Sequence, residues 1–388
     1  MAYCKFQADQ LFTGYELLDS THVLITDTGG KVLNIIPASE AGGDVQQLAG
    51  IITPGFINCH CHLELSHLRN RIPSGTGLTG FIAAVMKSPP FSREEKDAAM
   101  EESDREMHQN GIAAVGDISN QPYSITQKIK SPLRWHSFLE ITNLDDPLAA
   151  ERLEKFQAIQ TAFKNALPSM ATTFSPHAIY SVSPETFRLI NKHTAGQIIT
   201  IHNQECFAED ELFIHGTGKF LSFYESIGRK QLPIVPSGKS SMQTWLPYFN
   251  QKQTIISVHN TYISEADIVF AKEYTAASNM QIVYCLCPNA NMYIENRLPP
   301  VDLLMKHQCR IVLGTDSYGS NLQLSIGKEI ETIQHHLPQT PLKDILQWAT
   351  LNGAEALGFE NELGSFEKGK QPGIVLIENG VTGSKRIL

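Results

Sequence analysis

The chain contains no CxxC pair, and its seven cysteines are an odd number. That spacing supports neither a disulfide framework nor a cysteine-type zinc site. Most of these thiols fall in apolar, strand-like runs, where buried free cysteine is expected. No apolar stretch reaches membrane-spanning length, and the first eighteen residues, MAYCKFQADQLFTGYELL, are too polar for a secretory signal. A cytoplasmic protein is therefore expected. There is no cluster of Lys and Arg, and the net charge is −9. Nucleic acid and anionic membrane are not expected as partners of such a chain. Neither GxGxxG nor GxxxxGK[ST] occurs, so nucleotide cofactors held by those loops are not indicated. Internal repeats and low-complexity segments are also missing. What remains is 388 residues that are 42% hydrophobic and 18% charged, enough to bury a large core. The length suits one large α/β barrel with a small satellite.

Short apolar runs rich in Val, Ile and aromatic residues recur at 51–57, 111–118, 135–141, 170–174, 198–201, 255–258, 281–286 and 310–313. Segments with helical spacing lie between them, among them 94–109, 149–166, 184–193 and 265–277. Ser183 and Ser264 are placed as N-caps of the last two. Eight strands alternating with helices predict a (β/α)8 TIM barrel rather than an open doubly wound sheet. Residues 23–37 read as two strands about Thr28-Gly29-Gly30, a hairpin signal. A short strand at 374–377 lies near the other end. The two strand-rich ends predict a small β-sandwich module built from both termini, residues 1–50 plus 364–388, around a barrel of residues 51–363.

Several runs end in residues that bind metals. The first strand region ends in His60 and His62, ITPGFINCHCH. In an extended strand, residues two apart face the same side, so both imidazoles can reach one ion. His202 ends ITIHNQE, His259 ends IISVHNT and Asp316 ends IVLGTDS. Zinc and iron(II) both accept imidazole nitrogen and carboxylate oxygen, and a catalytic site leaves one position for water. Such an ion lowers the pKa of a bound water from about 15.7 to about 7. Glu205 and His259 are candidates to handle the proton. Any one of these residues alone would be an ordinary strand-end polar group. Their coincidence at four strand ends is what points to a site, because the C-terminal face of a barrel brings strand ends together.

The succession PGFxNxHxH, HxxE, a lone strand-end His and LGTDS resembles the amidohydrolase superfamily, over residues 23–377 or so. More narrowly it resembles the aminohydrolases that deaminate adenine-type nucleosides, guanine and cytosine, with the related chlorohydrolases. The resemblance implies that His60, His62, His202 and Asp316 hold one divalent metal, zinc with iron as the alternative. It implies that Glu205 shuttles protons and that His259 contacts the water or the tetrahedral centre, with Asp316 sharing the catalytic work. A split terminal β module is also a feature of that family. The segment SPHAIYSVSPE, residues 175–185, is similar to adenosine-type deaminases, in which the position of His177 contacts the ribose; a loop histidine beside a helix start is the plain alternative.

The sequence also departs from the family. GKQPG at 369–373 stands where GKxAD is usual, which predicts short final strands. CPNAN at 287–291 has Ala290 in place of serine. The guanine-type glutamine after HxH is missing; Leu63-Glu64-Leu65-Ser66 follows instead. Glu64 and Arg69 in this loop, with His177, are the substrate-facing candidates. Phe213, Phe220, Phe223 and Tyr224 within 212–228 either wall the substrate or pack outer helices. The expected activity is release of ammonia from an aminated heterocycle, an adenine nucleoside with a 5′ substituent such as S-adenosylhomocysteine, methylthioadenosine or aminodeoxyfutalosine. The alternatives are hydrolysis of another C–N or C–halogen bond (guanine, cytosine or triazine type) and a non-catalytic metal-binding protein. The expected partner is a small-molecule substrate, and a homodimer is the ordinary assembly for a symmetric enzyme.

Overall fold

The strands of this chain divide into one mixed sheet and two purely parallel ones. The computed structural model describes residues 3–229, 233–378 and 383–388. Residues 1–2 and the 379–382 part of the expected terminal module lie outside the described residues.

The mixed sheet draws on both ends of the chain. It holds β1 (Tyr3–Phe12), β2 (Leu17–Asp19), β3 (His22–Asp27), β4 (Val32–Pro37) and β5 (Gln46–Pro54). Two late strands, β14 (Ile374–Ile377) and β15 (Ser384–Arg386), join them in the order β15-β14-β5-β1-β3-β4, with β2 on β1. The expected hairpin forms between β3 and β4, where the Asp27 carboxylate accepts from the amides of Gly29 and Lys31 (2.9 Å each). The last two strands are short, four and three residues.

One expected strand is corrected. The run 51–57 is not a single barrel strand but two strands in different sheets. Ile51 to Pro54 belong to β5 and pair with β14, Ile51 opposite Ile377 and Pro54 opposite Ile374. The next strand, β6 (Phe56–Cys61), starts after Gly55. A Cβ on Gly55 would lie 2.4 Å from the Pro372 carbonyl oxygen and 2.8 Å from Ala113 Cβ. The chain therefore crosses from one sheet to the other at a point with no room for a side chain. An apolar pattern reports burial on both sides of that crossing and cannot show the change of partner.

The two parallel sheets have neighbours in chain order. The first is β6, β7 (Ile112–Ser119), β8 (Arg134–Ile141) and β9 (Thr172–Pro176). The second is β10 (Ile198–Asn203), β11 (Thr254–His259), β12 (Gln281–Leu286) and β13 (Ile311–Leu313). Single parallel bridges, Ala178 with His202 and Cys61 with Asp316, link the two sheets at both ends. Helices follow the strands, including Arg93–Gln109, Ala149–Ala166, Pro184–His193 and Glu265–Ser278. Ser183 caps the third of these by accepting from the Thr186 amide. Ser264 and Asp267 form a reciprocal capping box on the fourth.

Alternation along the strands separates two apolar clusters. Ile255, Ile311 and Leu313 pack in the large cluster that also holds the helix residues Phe156, Phe163 and Phe187. Ile256, Val258 and Val312 pack in a second cluster with Ile57, Ala114, Phe138 and Val283. The second cluster draws side chains from both parallel sheets. All seven cysteines are free, five of them buried. Among the described residues, no helix is long and apolar enough to cross a membrane.

Candidate active site

The ends of β6, β10, β11 and β13 carry the side chains singled out in the sequence. Asn58 ties the first strand to the last: its Oδ1 accepts from the Thr315 amide (3.0 Å) and its Nδ2 donates to Thr315 Oγ1 (2.8 Å). The amides of Thr315 and Asp316 both donate to the His60 carbonyl oxygen, at 3.0 Å. Asp316 (φ 56°) and His259 (φ 72°) adopt the left-handed backbone that side-chain-bearing residues avoid. Strain of about 1–3 kcal/mol at each such residue is kept where surrounding structure enforces it, and such residues gather at functional sites.

His60 Nε2 lies 3.2 Å from His62 Nε2 and 3.4 Å from Asp316 Oδ1. His62 Nε2 lies 3.2 Å from Asp316 Oδ1 and 3.4 Å from His202 Nε2. An ion with bonds of about 2.0–2.1 Å to four tetrahedral donors sets those donors about 3.3–3.4 Å apart, so the spacing fits. The protonation pattern fits as well. His202 Nδ1 donates to the His177 carbonyl oxygen (2.9 Å), which leaves Nε2 with a lone pair aimed at His62. Burial, and then the neighbouring histidines, hold the imidazoles of His60, His202 and His259 down at a pKa of about 3, so all three are neutral at pH 7. Burial alone would raise the Asp316 carboxyl. The hydrogen bond with His60 and the nearby histidines outweigh it and hold Asp316 below the usual carboxylate range. Ser320 Oγ donates to its other oxygen. Imidazole nitrogens and one carboxylate converging at these distances make a donor set for a cation.

Glu205 and His259 complete the cluster. Glu205 Oε2 stands 3.6 Å from His259 Nε2, and both residues are buried. Burial, then the charges of Asp316, Glu209 and Glu295, push the Glu205 carboxyl well above its ordinary value. The opposite nitrogen of His259 faces the Asn291 amide (3.3 Å), from the CPNAN motif. Ala290 of that motif is buried in the second apolar cluster.

These groups stand at a cavity of about 900 Å³. His62, His177, His202, Glu205, His259 and Asp316 line it. Its apolar wall includes Leu78, Phe81 and Ile82 of the helix Gly77–Met86, together with Phe223 and Ile227. Within 212–228, Phe213, Phe220 and Tyr224 are buried in the large core, and Tyr224 together with Phe223 also lines the cavity. His177 is placed beside His202, with ring centroids 4.8 Å apart, and its Nδ1 meets Ser181 Oγ at 2.6 Å.

Two expected substrate contacts lie elsewhere. Glu64 turns under the loop, where its Oε2 accepts from the amides of Asn120 (3.0 Å) and Gln121 (3.2 Å). Burial raises its pKa to about 7. Arg69 pairs with Glu106 (3.1 Å) and lies over the Tyr318 ring at 4.4 Å. Neither is among the cavity-lining residues described. Each found a partner distant in the chain, which local sequence cannot show.

Glu140 was not singled out in the sequence. It lines the cavity, approaches His202 Nδ1 at 3.4 Å and accepts from Asn120 Nδ2 at 3.2 Å. It is the last residue but one of β8, as His202 is of β10, so extending the strand-end rule to glutamate would have found it.

The amidohydrolase family profile matches residues 51–386. The chain belongs to the amidohydrolase family. It is 24% identical over 337 residues to an aminodeoxyfutalosine deaminase of Nitratiruptor sp., covering 84% of this chain and 79% of that one. Among solved structures it resembles the Helicobacter pylori aminofutalosine deaminase in complex with methylthio-coformycin. The TM-score is 0.78 at 20% identity, covering 97% of this chain and 92% of that one. It also resembles a Xanthomonas campestris adenosine deaminase with bound zinc, with a TM-score of 0.69 at 19% identity, covering 98% and 85%. Family and fold agree with the donor set: this amidohydrolase carries residues suited to one divalent ion.

The site is sensitive to its floor. A Cβ on Gly314 would fall 2.8 Å from His60 Cβ and 2.9 Å from Cys285 Sγ. Neither is the free end of a flexible chain. Gly314→Ala should therefore push His60 off its position and lower metal affinity, with a stability loss of about 1–3 kcal/mol. Metal content after dialysis against a weak chelator checks this; full retention contradicts it.

Proposed function

We propose that this amidohydrolase is a hydrolytic deaminase that releases ammonia from an adenine-type nucleoside bearing a 5′ substituent. The observation that carries the reading is the placement of Glu205 and His259 beside the His60–His62–His202–Asp316 donor set, on a cavity larger than a bare binding site for an ion requires. In this reading those four residues hold one divalent ion, zinc for preference. The ion, when bound, supplies Lewis-acid polarisation of a water. Asp316, with His259 beside it, would take a proton from the attacking water as the water oxygen bonds to the amine-bearing ring carbon. Glu205, whose carboxyl burial pushes well above its ordinary value, gives its proton to the adjacent ring nitrogen, so the ring holds the electron pair at the tetrahedral stage. Asp316 then returns its proton to the exocyclic nitrogen, the C–N bond breaks and ammonia leaves, while the hydroxyl proton passes to Glu205 as the tetrahedral carbon becomes the ring carbonyl.

The cavity supports a substituted nucleoside. Its 900 Å³ lies near the top of the ordinary range of about 300–1,000 Å³ for small-molecule sites. His177 and Glu140 are suited to ribose hydroxyls. The apolar wall at Leu78, Phe81 and Phe223 suits a thioether or aryl group. Arg152, Lys155 and Arg229 also line the cavity, and Arg152 Nε is buried without a partner among the described residues.

We also infer the arrangement around the site. The two parallel sheets form one closed (β/α)8 barrel, residues 51–363; the bridges at Ala178 and Cys61 and the shared cluster of Ile57, Phe138, Ile256 and Val312 support closure. Residues 1–50 and 364–388 form the composite β-sandwich module around Phe6, Leu24, Ile52 and Leu376, with β5 crossing the boundary. Seven free thiols suit a reducing, cytoplasmic setting.

A panel of metal-loaded assays tests the reading. Ammonia should be released from S-adenosylhomocysteine, methylthioadenosine or aminodeoxyfutalosine, and far less from guanine or cytosine. Silence on every adenine nucleoside, with chloride released from a chlorinated triazine, would move the assignment to C–halogen hydrolysis. Silence throughout, with unfolding on metal removal, would indicate a non-catalytic metal protein.

A further inference from the structure

Glu205 has an exacting place, yet among the described residues its side chain makes no hydrogen bond. Its carboxylate faces His259, at 3.6 Å. Its direction is therefore set by the backbone that carries it. That backbone is unusual: β10 ends at Asn203, and Gln204 turns into the left-handed region at φ 44°. The turn aims two successive amides at one point, an arrangement that forms an anion-holding concavity. The occupant is a second glutamate four residues on. Glu209 Oε2 accepts from the Gln204 amide (3.0 Å), and Oε1 accepts from the Glu205 amide (2.7 Å). Ser241 Oγ donates a third bond to Glu209 Oε2 (2.9 Å). Glu209 is fully buried and does not line the cavity as described.

We propose that Glu209 is a positioning residue: by gripping the amides of Gln204 and Glu205 it aims the Glu205 carboxyl at the reacting ring. The proposal rests on the reading of Glu205 as the proton carrier. Carboxylate chemistry is what the grip needs. Three donors converge on two oxygens, and a primary amide in the same place would turn an NH2 group toward one of them. The turn has other anchors. Gln204 Nε2 donates to Asp210 (3.1 Å) and Asp267 (3.0 Å), and its carbonyl accepts from the Tyr262 amide (3.0 Å). Glu209→Gln should thus leave the loop folded while loosening the aim of Glu205, a displacement that costs far more in turnover than in binding.

The test compares wild type, Glu209→Gln, Ser241→Ala and Glu205→Gln, each metal-loaded with metal content verified. For Glu209→Gln we expect kcat to fall by about 10²-fold, with KM and metal content unchanged. Ser241→Ala, which removes one of the three bonds, should lose several-fold in kcat with the same KM. A crystal structure of metal-loaded Glu209→Gln should show Glu205 moved from His259. Full kcat in both Glu209→Gln and Ser241→Ala, while Glu205→Gln is inactive, overturns the positioning role and leaves the proton-carrier reading standing. Wild-type turnover in Glu205→Gln overturns that reading and the positioning role with it. An unmoved Glu205 in the Glu209→Gln crystal overturns the positioning role without reference to any substrate. Should Glu209→Gln fail to fold, Ser241→Ala decides: an unchanged kcat overturns the role.

Discussion

Glu205→Gln is expected to lower kcat by about 10²–10⁴-fold, the usual contribution of a positioned general acid–base group, while the bound metal stays at one ion per chain. The two outcomes separate because Glu205 is not part of the His60–His62–His202–Asp316 donor set. Its carboxyl faces His259 instead, 3.6 Å away. Glutamine keeps the volume of the buried side chain, so packing is preserved. What it removes is a proton that can be given and taken back. Burial already pushes the Glu205 carboxyl well above its ordinary value, with the Asp316 charge adding to the effect. An acid poised in this way suits delivery to a weakly basic ring nitrogen. Elemental analysis and steady-state kinetics on one preparation check the prediction. Retained turnover with full metal would remove Glu205 from the mechanism.

Lys128→Met should cost about 3–5 kcal/mol of stability, the penalty for breaking one partner out of a buried ion pair. Lys128 Nζ lies 2.6 Å from Asp117 Oδ2, and both side chains are wholly shielded from solvent. The ammonium also donates to Ser137 Oγ (2.8 Å) and Ser119 Oγ (3.2 Å) and lies 5.2 Å from the Trp135 ring centroid. Methionine fills the space but leaves the Asp117 carboxylate uncompensated. The pair also bears on the site, because Asp117 Oδ1 accepts from the Leu63 amide at 2.8 Å, directly after His62. The double variant Asp117→Asn/Lys128→Met should be less destabilised than Lys128→Met alone, since it buries no charge and keeps an acceptor for Leu63. Urea unfolding of the metal-loaded proteins gives both numbers. A single-variant loss under about 1 kcal/mol, the scale of an exposed pair, would contradict the assignment.

The donor set was legible because its geometry is mostly local. Strand alternation puts His60 and His62 on one side whatever the rest of the fold does, and short apolar runs ending in His202, His259 and Asp316 mark strand ends. Ser183 and Ser264 were legible as caps for the same reason, since their bonds span three residues. The partners of Glu64 and Arg69 were not legible, because a loop side chain goes to the best partner within reach. Here those partners are the Asn120 and Gln121 amides and Glu106, at least 37 positions away.

By itself, then, the sequence determined which residues stand at strand ends and which side of each strand they face, because covalent spacing and pleat set both. It also determined that the interior is apolar and that the thiols are unpaired by any close spacing. Only the tertiary structure decided where the two sheets part, since Gly55 is a crossing only when Pro372 and Ala113 close around it. Only the tertiary structure brought Glu140 to His202 and Ser241 to Glu209. Those roles depend on hydrogen-bond partners that meet after the chain has closed on itself, and no periodicity encodes such a meeting.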